Sequence, residues 1–317
     1  MYCCMRQITF RSTLVRAAAA ILVASPLLGI AEHKSLNPNG LSRNDIVFTD
    51  SESAVLRANP ANSGPELLAQ GQQLVRPLGI CEGASGELFV SDTGCFGIIG
   101  IDTRSGQQRV VAHGPALGMP LGIAAERSGS LLVANGQALV RINPETGEIA
   151  HVTSGQYLRM PTAVGVAENG TIYVADALGA IVAVNPNTGV QTFISSGGYL
   201  IRPQGIAVRA NHLYVTDVAT SDGNFGVGRI VHVNLNTKQQ NVLSEGHQLV
   251  GPVGIAIEPS GNLIVGDPYT INEDSADLFD GAILRVDAAT GEQQLLARGK
   301  AGFVNPRCVA LVRSAGL

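Results

Sequence analysis

The sequence predicts an all-β chain that forms a single six-bladed β-propeller of four-stranded antiparallel blades. Three observations support this fold: one segment recurs with a period near 42 residues, turn residues recur at fixed places in each copy, and the chain ends hold complementary parts of one copy. Four short strands in such a period are typical of a propeller blade. The composition, with 45% hydrophobic and 15% charged residues among 317, suits a well-packed core.

Each copy begins with a proline that opens a short apolar strand. These prolines are Pro77, Pro120, Pro161, Pro203, Pro252 and Pro306, at intervals of 43, 41, 42, 49 and 54 residues. A turn then leads to a second strand, such as residues 171–176. The third and fourth strands are separated by hairpins such as residues 143–147 (NPETG), where Pro presets φ and Gly takes the left-handed position.

The two chain ends complete one blade. Residues 45–50 resemble a second strand that lacks a first, and residues 306–312 form a first strand that lacks a second. Joined, they make blade 1, and blades 2 to 6 are continuous, so the closed ring leaves no open sheet edge. We therefore expect the propeller to span residues 41–313, with tails at 32–40 and 314–317.

Residues 1–31 are typical of a cleavable signal peptide. Three arginines precede an apolar stretch from Ala17 to Ala31, which ends in small residues that suit signal peptidase. The alternative is an uncleaved anchor, although this stretch is interrupted by Pro26 and is shorter than the about 20 residues that span a membrane. We expect a secreted, periplasmic or cell-envelope protein with no stable membrane span after cleavage.

Charge and cysteine content bound the classes of partner. Removing the three arginines leaves 18 basic residues against 25 acidic ones, a net charge of −7. An acidic chain without a basic cluster disfavours nucleic-acid binding. Cleavage also leaves Cys81, Cys95 and Cys308, so at most one internal bridge is expected, and a Cys95–Cys308 pair would lock the ring closure.

The repeat resembles the NHL repeat. The resemblance is carried by a Pro-x-Gly-Ile-Ala start (203–207), a Leu-Tyr-Val-x-Asp second strand (213–217) and an Ile-x-x-Val-Asn third strand (230–234). It covers residues 41–313, and a more distant similarity extends to the senescence-marker/gluconolactonase superfamily. Paraoxonases, peptide-amidating lyases and non-enzymatic interaction modules use similar scaffolds, so the resemblance implies an architecture and not a single activity.

The resemblance also implies where a catalytic metal would lie. Gluconolactonase-like enzymes are expected to hold a divalent ion with Glu, Asn and Asp on the inner ring of the channel. Here the residue after each starting proline should face the channel, and these residues are Leu78, Leu121, Thr162, Gln204, Val253 and Arg307. None is Asp, Glu or Asn, so the metal triad is missing from the expected places. Streptogramin lyases resemble longer, seven-bladed rings, whereas this chain has six copies.

Two sets of polar residues favour structural interpretations. The second strands end in one recurring position, occupied by Asp50, Asp92, Asn135, Asp176, Asp217 and Asp267. Because the residue recurs in every blade, we expect it to accept backbone N–H bonds in the following loop and not to form a cation site. The histidines scatter over the repeat, which disfavours a zinc site; His232 should be structural, and only His247 is a site candidate.

The repeats depart from their period in blades 5 and 6, where functional sites on repeat scaffolds usually lie. Longer connections at 218–228 and 268–281 should leave from one face. We expect the ligand-binding residues to lie on this face, and they are Gln204, Arg307, Arg202, His247, Phe225, Tyr269 and Phe279. An acidic cluster in the same region could bind Ca²⁺ or another divalent metal, although its spacing matches no recognised calcium loop. Its members are Glu273, Asp274, Asp277 and Asp280.

The sequence therefore predicts an exported recognition module that binds a small molecule, a glycan or a protein partner on the face with the long loops. The alternative is a metal-dependent hydrolase, lactonase or lyase of the gluconolactonase or paraoxonase kind. The two hypotheses separate on metal, because the enzyme class needs a divalent ion at the channel and a recognition module needs none. No cofactor is certain from the residues alone.

Overall fold

The computed structural model describes residues 40–58, 65–218, 227–270, 281–298 and 305–313, which form six four-stranded antiparallel sheets. Blade 1 contains β24 (Pro306–Leu311), β1 (Ile46–Asp50), β2 (Ala54–Ala58) and β3 (Glu66–Gln70). Blade 2 contains β4 (Pro77–Glu82), β5 (Leu88–Asp92), β6 (Gly97–Ile101) and β7 (Gln108–His113). Blade 3 contains β8 (Pro120–Ala125), β9 (Leu131–Asn135), β10 (Ala138–Ile142) and β11 (Ile149–Ser154).

The other three blades repeat this order of strands. Blade 4 contains β12 (Pro161–Val166), β13 (Ile172–Asp176), β14 (Ala180–Val184) and β15 (Gln191–Ser196). Blade 5 contains β16 (Pro203–Arg209), β17 (His212–Val218), β18 (Gly228–Asn234) and β19 (Gln240–Glu245). Blade 6 contains β20 (Gly254–Ile257), β21 (Leu263–Asp267), β22 (Ala282–Val286) and β23 (Gln293–Arg298). Within the described ranges, no helix has the length and apolarity needed to cross a membrane.

The ring closes as the sequence predicts. The C-terminal β24 pairs antiparallel with the N-terminal β1, with Phe48 opposite Val309 and Ile46 opposite Leu311. The predicted all-β, six-bladed propeller is therefore confirmed. One strand start differs, since β20 begins at Gly254, two residues after the proline that was expected to open it.

The hydrophobic core lies between the blades. Apolar side chains of the described residues form six clusters, and each cluster joins two neighbouring blades. In β5, for example, Leu88 and Val90 pack toward blade 1, whereas Phe89 packs toward blade 3. A second strand is therefore buried on both faces, which explains why its sequence is continuously apolar and does not alternate.

The glycine of the repeat motif permits adjacent inner strands to lie close together. A Cβ on Gly79 would lie 2.5 Å from the carbonyl oxygen of Leu121 in the next blade. The Ser91 hydroxyl accepts a hydrogen bond from the N–H of Gly79 (2.9 Å) and donates one to that same oxygen. The glycine and the hydroxyl together bind one inner strand to the next.

A bulge at the start of most inner strands directs one residue toward the channel. In β4, β12 and β16 the ladder with the second strand shifts register between the proline and the glycine or alanine two residues later. Proline has no N–H to donate, so the ladder is interrupted there. We call the face where inner strands begin the upper face; it carries the connections from each fourth strand to the next blade and from each second strand to the third.

Candidate ligand-binding site

A cavity of about 210 Å³ opens at the upper end of the central channel, and we call it the upper vestibule. Its rim is formed by the residue that follows the starting proline of each repeat, in the order blade 1 to blade 6. These residues are Arg307, Leu78, Leu121, Thr162, Gln204 and Val253. They are the six positions that the sequence placed on the inner ring, so the predicted register of the repeats is confirmed at the channel.

The floor of the upper vestibule is a ring of branched aliphatic side chains. Each blade contributes one, and together they are Ile80, Ile123, Val164, Ile206, Ile255 and Val309, all between 3% and 7% exposed. The same six residues border a second cavity of about 180 Å³ at the lower end of the channel. The upper vestibule is therefore a blind pocket with an apolar floor.

Among the described residues that line the upper vestibule, Arg307 carries the charge. Its Nε donates a hydrogen bond to Ser51 Oγ at 2.8 Å, and its guanidinium carbon lies 5.8 Å from the centre of the Tyr269 ring. That ring packs against the backbone of Gly251, which leaves no room for a side chain there. Within the described ranges, the two terminal nitrogens of Arg307 have no hydrogen-bond partner, so they can bind an anion.

The remaining polar groups of the rim come from two adjacent blades. The Gln204 side-chain amide donates to the carbonyl oxygens of Arg202 and Pro203, both at 3.2 Å. The Thr162 hydroxyl lies 3.1 Å from Ala175 O and 3.0 Å from Pro203 O, to which it can donate. These groups are tied to the backbone, and the Gln204 Oε1 is left as an acceptor at the rim.

The recurring carboxylates at the ends of the second strands hold the loops around this mouth. Asp92 accepts hydrogen bonds from the backbone N–H groups of Val75, Arg76, Gly94 and Cys95 at 2.8–3.1 Å. Asp50, Asp176 and Asp267 likewise accept N–H groups from both loops. Within the described residues, Asp217 and Asn135 bind only the connection that precedes their blade, and Asn135 uses both atoms of its amide. The predicted loop-holding role is confirmed, but it involves the connection between blades as well as the following loop.

Two of these carboxyl groups have perturbed pKa values. Burial raises the pKa of Asp217 to about 6, although the N–H groups of Arg202 and Ile201 oppose the shift. Burial likewise raises the pKa of Asp267 to about 6 against three backbone N–H bonds. Desolvation outweighs hydrogen bonding at both positions, because each carboxyl is fully enclosed.

Exposed apolar side chains are concentrated on the upper face. Eleven large hydrophobic residues are exposed in the described ranges, and seven of them lie in upper-face connections. These seven are Val75, Phe96, Met119, Tyr157, Leu178, Tyr199 and Val227. Sequence analysis missed this set because its members occupy loop positions that vary from blade to blade, and no periodic pattern marks them.

The other predicted site residues lie outside the vestibule or outside the described residues. Arg202 and His247 are exposed on the upper face but do not line the vestibule. His247, with φ of 53°, lies in a tight turn that recurs at Gln72 and Gln156, so its backbone position is structural. Phe225 and Phe279 lie outside the described residues, as do the acidic residues Glu273, Asp274, Asp277 and Asp280.

His232 has the satisfied environment that its position in a third strand predicts. Its Nε2 lies 2.8 Å from His212 Nδ1, and its ring stacks with that of Tyr214 at a centroid distance of 5.3 Å. Burial and the neighbouring His212 lower the pKa of His232. The pair lies in blade 5 on adjacent strands, away from the residues that line the upper vestibule.

The Cys95–Cys308 bridge that would lock the closure is not formed. Cys81, Cys95 and Cys308 are all free thiols. The Cys95 sulfur faces the carbonyl of Asp92 in its own turn, at 4.0 Å, whereas Cys308 packs into the core between blades 1 and 2. Both side chains pack at the edge of the same hydrophobic cluster, but no disulfide joins them.

The rim residues do not fit a divalent metal. Hard cations take oxygen ligands with several carboxylates, whereas this rim supplies one amide, one hydroxyl and a guanidinium that repels a cation. Across the part of the chain that the structure describes, no group of three His, Cys, Asp or Glu residues converges on a common point. The chemistry of the donor set therefore favours an anion at this mouth.

Comparison with known proteins identifies the fold. No protein-family model and no curated protein matches the chain. A chain in the crystal structure of a nidogen/laminin complex is 12% identical with a TM-score of 0.67, over 85% of this chain and 98% of that one. A streptogramin B lyase is 18% identical with a TM-score of 0.54, over 70% and 72%.

A virginiamycin B lyase from Staphylococcus aureus is 14% identical with a TM-score of 0.56, over 82% of this chain and 86% of that one. At these identities the likeness shows the fold alone. Because solved structures of 1188 chains match, and a binding protein and lyases are among them, the fold does not select an activity.

Proposed function

We propose that this protein is a recognition module that binds a ligand or protein partner on its upper face, where the long connections of blades 5 and 6 also begin. The observation that carries the proposal is the concentration of exposed apolar side chains on that face, around a blind vestibule with one guanidinium. Exposed apolar patches mark interaction sites on soluble proteins. Tyr, Phe, Met and Arg, the residue types enriched at interface cores, are all present here.

The nidogen/laminin structure supports this proposal by analogy, since a chain of the same fold occurs there in a complex with another protein.

The alternative, a metal-dependent hydrolase, lactonase or lyase, is not favoured by the rim residues. The metal-dependent alternative is tested by measuring, with elemental mass spectrometry, the metal content of protein purified without chelator. One divalent ion per chain would overturn our preference and call for a screen of lactones and esters.

The recognition proposal is tested with two exposed apolar residues of the same blade. Leu178 (55% exposed) lies on the upper face, whereas Val190 (61% exposed) lies in the hairpin at the opposite face. Immobilised wild-type protein, Leu178→Ser and Val190→Ser are incubated with extracts of the source cells, and retained species are quantified by mass spectrometry. We expect species that wild type and Val190→Ser retain and Leu178→Ser loses. Equal retention by all three proteins would refute an upper-face site.

We also propose that the chain is exported and cleaved near residue 31, as its N-terminal sequence predicts. Export would place the upper face in contact with extracellular or envelope partners. The test is the N-terminal sequence of the protein recovered from each cell fraction. A chain that keeps residues 1–31 in the cytoplasmic fraction would contradict export.

A further inference from the structure

Arg307 differs from the arginines that the blades pair with carboxylates. Five arginines elsewhere in the described ranges form ion pairs with a Glu side chain: Arg57, Arg109, Arg141, Arg229 and Arg285. Arg307 has a hydroxyl at Nε and an aromatic ring beside its guanidinium, but no carboxylate of the described residues is paired with it. The planar guanidinium presents donors in a fork that fits a carboxylate in a bidentate manner.

The surroundings of Arg307 restrict which anion would fit. Leu78 and Leu121 follow it around the rim, and the floor below is entirely aliphatic. An anion with two or more charges would lose its hydration while only one cation compensates it. Its desolvation free energy would then exceed the favourable free energy of the ion pair. A monoanion attached to an apolar body matches both the single guanidinium and the apolar walls.

The size of the vestibule restricts the occupant further. Its volume of about 210 Å³ is below the roughly 300–1,000 Å³ of sites for drug-sized ligands. A short aliphatic chain can fill the space between the leucines and the floor, whereas a sugar ring would place several hydroxyls against groups that cannot pair with them.

We propose that the upper vestibule binds a small organic carboxylate, with the carboxylate on Arg307 and a short aliphatic chain against Leu78, Leu121 and the floor. The inference deepens the proposed function by naming the class of ligand, and it rests on recognition at this face. Ser51 and Tyr269 are positioning residues for the guanidinium, since they hold it from two sides.

The test measures binding of acetate, butyrate and hexanoate to the full chain by ligand-observed NMR and calorimetry, with butyramide and inorganic phosphate as comparison probes. We expect affinity to rise from acetate to butyrate, and butyramide not to bind. Arg307→Gln should weaken butyrate binding by roughly tenfold or more, as loss of a hydrogen-bonded charge does. Arg159→Gln, on the same face but outside the vestibule, should bind as wild type does.

A second variant covers the case in which Arg307→Gln disturbs the closing strand. Leu121→Phe fills the vestibule from blade 3 without touching Arg307, and it should weaken hexanoate more than acetate. Undiminished butyrate binding by both variants, no binding of any carboxylate to wild type, or tighter binding of phosphate than of butyrate would each overturn the inference. If carboxylates fail to bind while Leu178-dependent retention of a partner persists, recognition at the upper face stands and only the ligand class is refuted.

Discussion

The Nε of Arg307 donates a hydrogen bond to Ser51 Oγ at 2.8 Å, which joins residues 256 positions apart in the chain. Ser51 follows the N-terminal strand β1, and Arg307 is the second residue of the C-terminal strand β24. The charged group of the upper vestibule is therefore positioned by the contact that closes the ring. The orientation of Arg307 therefore depends on both ends of the chain.

Ser51→Ala should weaken butyrate binding about threefold to tenfold, because one hydrogen bond that orients the guanidinium is lost. Ser51→Thr keeps the hydroxyl and should restore most of the affinity, which a merely steric role would not do. Calorimetry on the three proteins checks this. Ser85→Ala, in an exposed turn on the opposite face, is the matched control and should bind as wild type does. Equal affinities for Ser51→Ala and wild type would show that the hydroxyl does not position Arg307.

Much of the fold was predictable because repetition makes each local signal visible several times. A single Pro-x-Gly-Ile segment is weak evidence, but four copies and the two related segments at 161–164 and 306–309 define the inner strands and identify which residue faces the channel. The bulge that turns Gln204 and Arg307 toward the vestibule follows from the proline before each of them. The role of Asp92 could also be predicted, since a position that recurs in every blade has a recurring task.

The rest depended on contacts that no repeat marks. The Ser51–Arg307 bond joins the two ends of the chain, and neither residue recurs at its position in other blades. The free thiols of Cys95 and Cys308 were not predictable either, because nearness in the ring does not determine whether two sulfurs come within bonding distance. Exposure of Phe96 and Leu178 is set by loop geometry, for which the sequence has no periodic signal.

Gly79→Ala should destabilise the protein by about 1–3 kcal/mol, the usual cost of overpacking a filled core. The added methyl would lie 2.5 Å from Leu121 O and 2.6 Å from Ser91 Oγ, so the joint between blades 2 and 3 must open. Gly165→Ala, in the inner strand of blade 4, is the control, because its nearest contacts would be ordinary ones at 3.5–3.6 Å. Urea unfolding measures both, and an equal change in the free energy of unfolding would contradict the close approach of inner strands.

The three thiols should react slowly with iodoacetamide in the folded protein near neutral pH. Burial and the Asp92 carboxylate raise the pKa of Cys95 to about 11, and burial raises the pKa of Cys81 and of Cys308 as well. The reactive thiolate is therefore scarce at all three positions. Peptide mass spectrometry should find each cysteine alkylated after denaturation without a reductant. A linked Cys95–Cys308 peptide from non-reduced protein would contradict the structure.

Asp217→Asn should leave stability at neutral pH unchanged or higher, whereas Asp92→Asn should lower it by roughly 1–3 kcal/mol. Asp92 accepts N–H groups with both oxygens, so an amide NH₂ would face a donor. Asp217 uses Oδ2 for two N–H groups, and its buried Oδ1 has no partner in the described part of the chain. Asn135 already fills the equivalent position in blade 3. Thermal unfolding of both variants checks the contrast, and an equal loss in the two would contradict it.

The same variant should flatten the dependence of stability on pH. Because burial raises the pKa of Asp217 to about 6, above the about 3.9 of an unfolded Asp, the folded protein holds a proton that the unfolded chain has released between those values. The stability contributed by the protonated Asp217 carboxyl is therefore fully present at lower pH, and this contribution is lost as pH rises toward and through about 6. Asp217→Asn removes one such group and leaves Asp267, so the fall in melting temperature from about pH 5 to about pH 7.5 should shrink without vanishing. An identical fall in wild type and variant would show that the Asp217 carboxyl ionises as freely in the folded ring as in the unfolded chain.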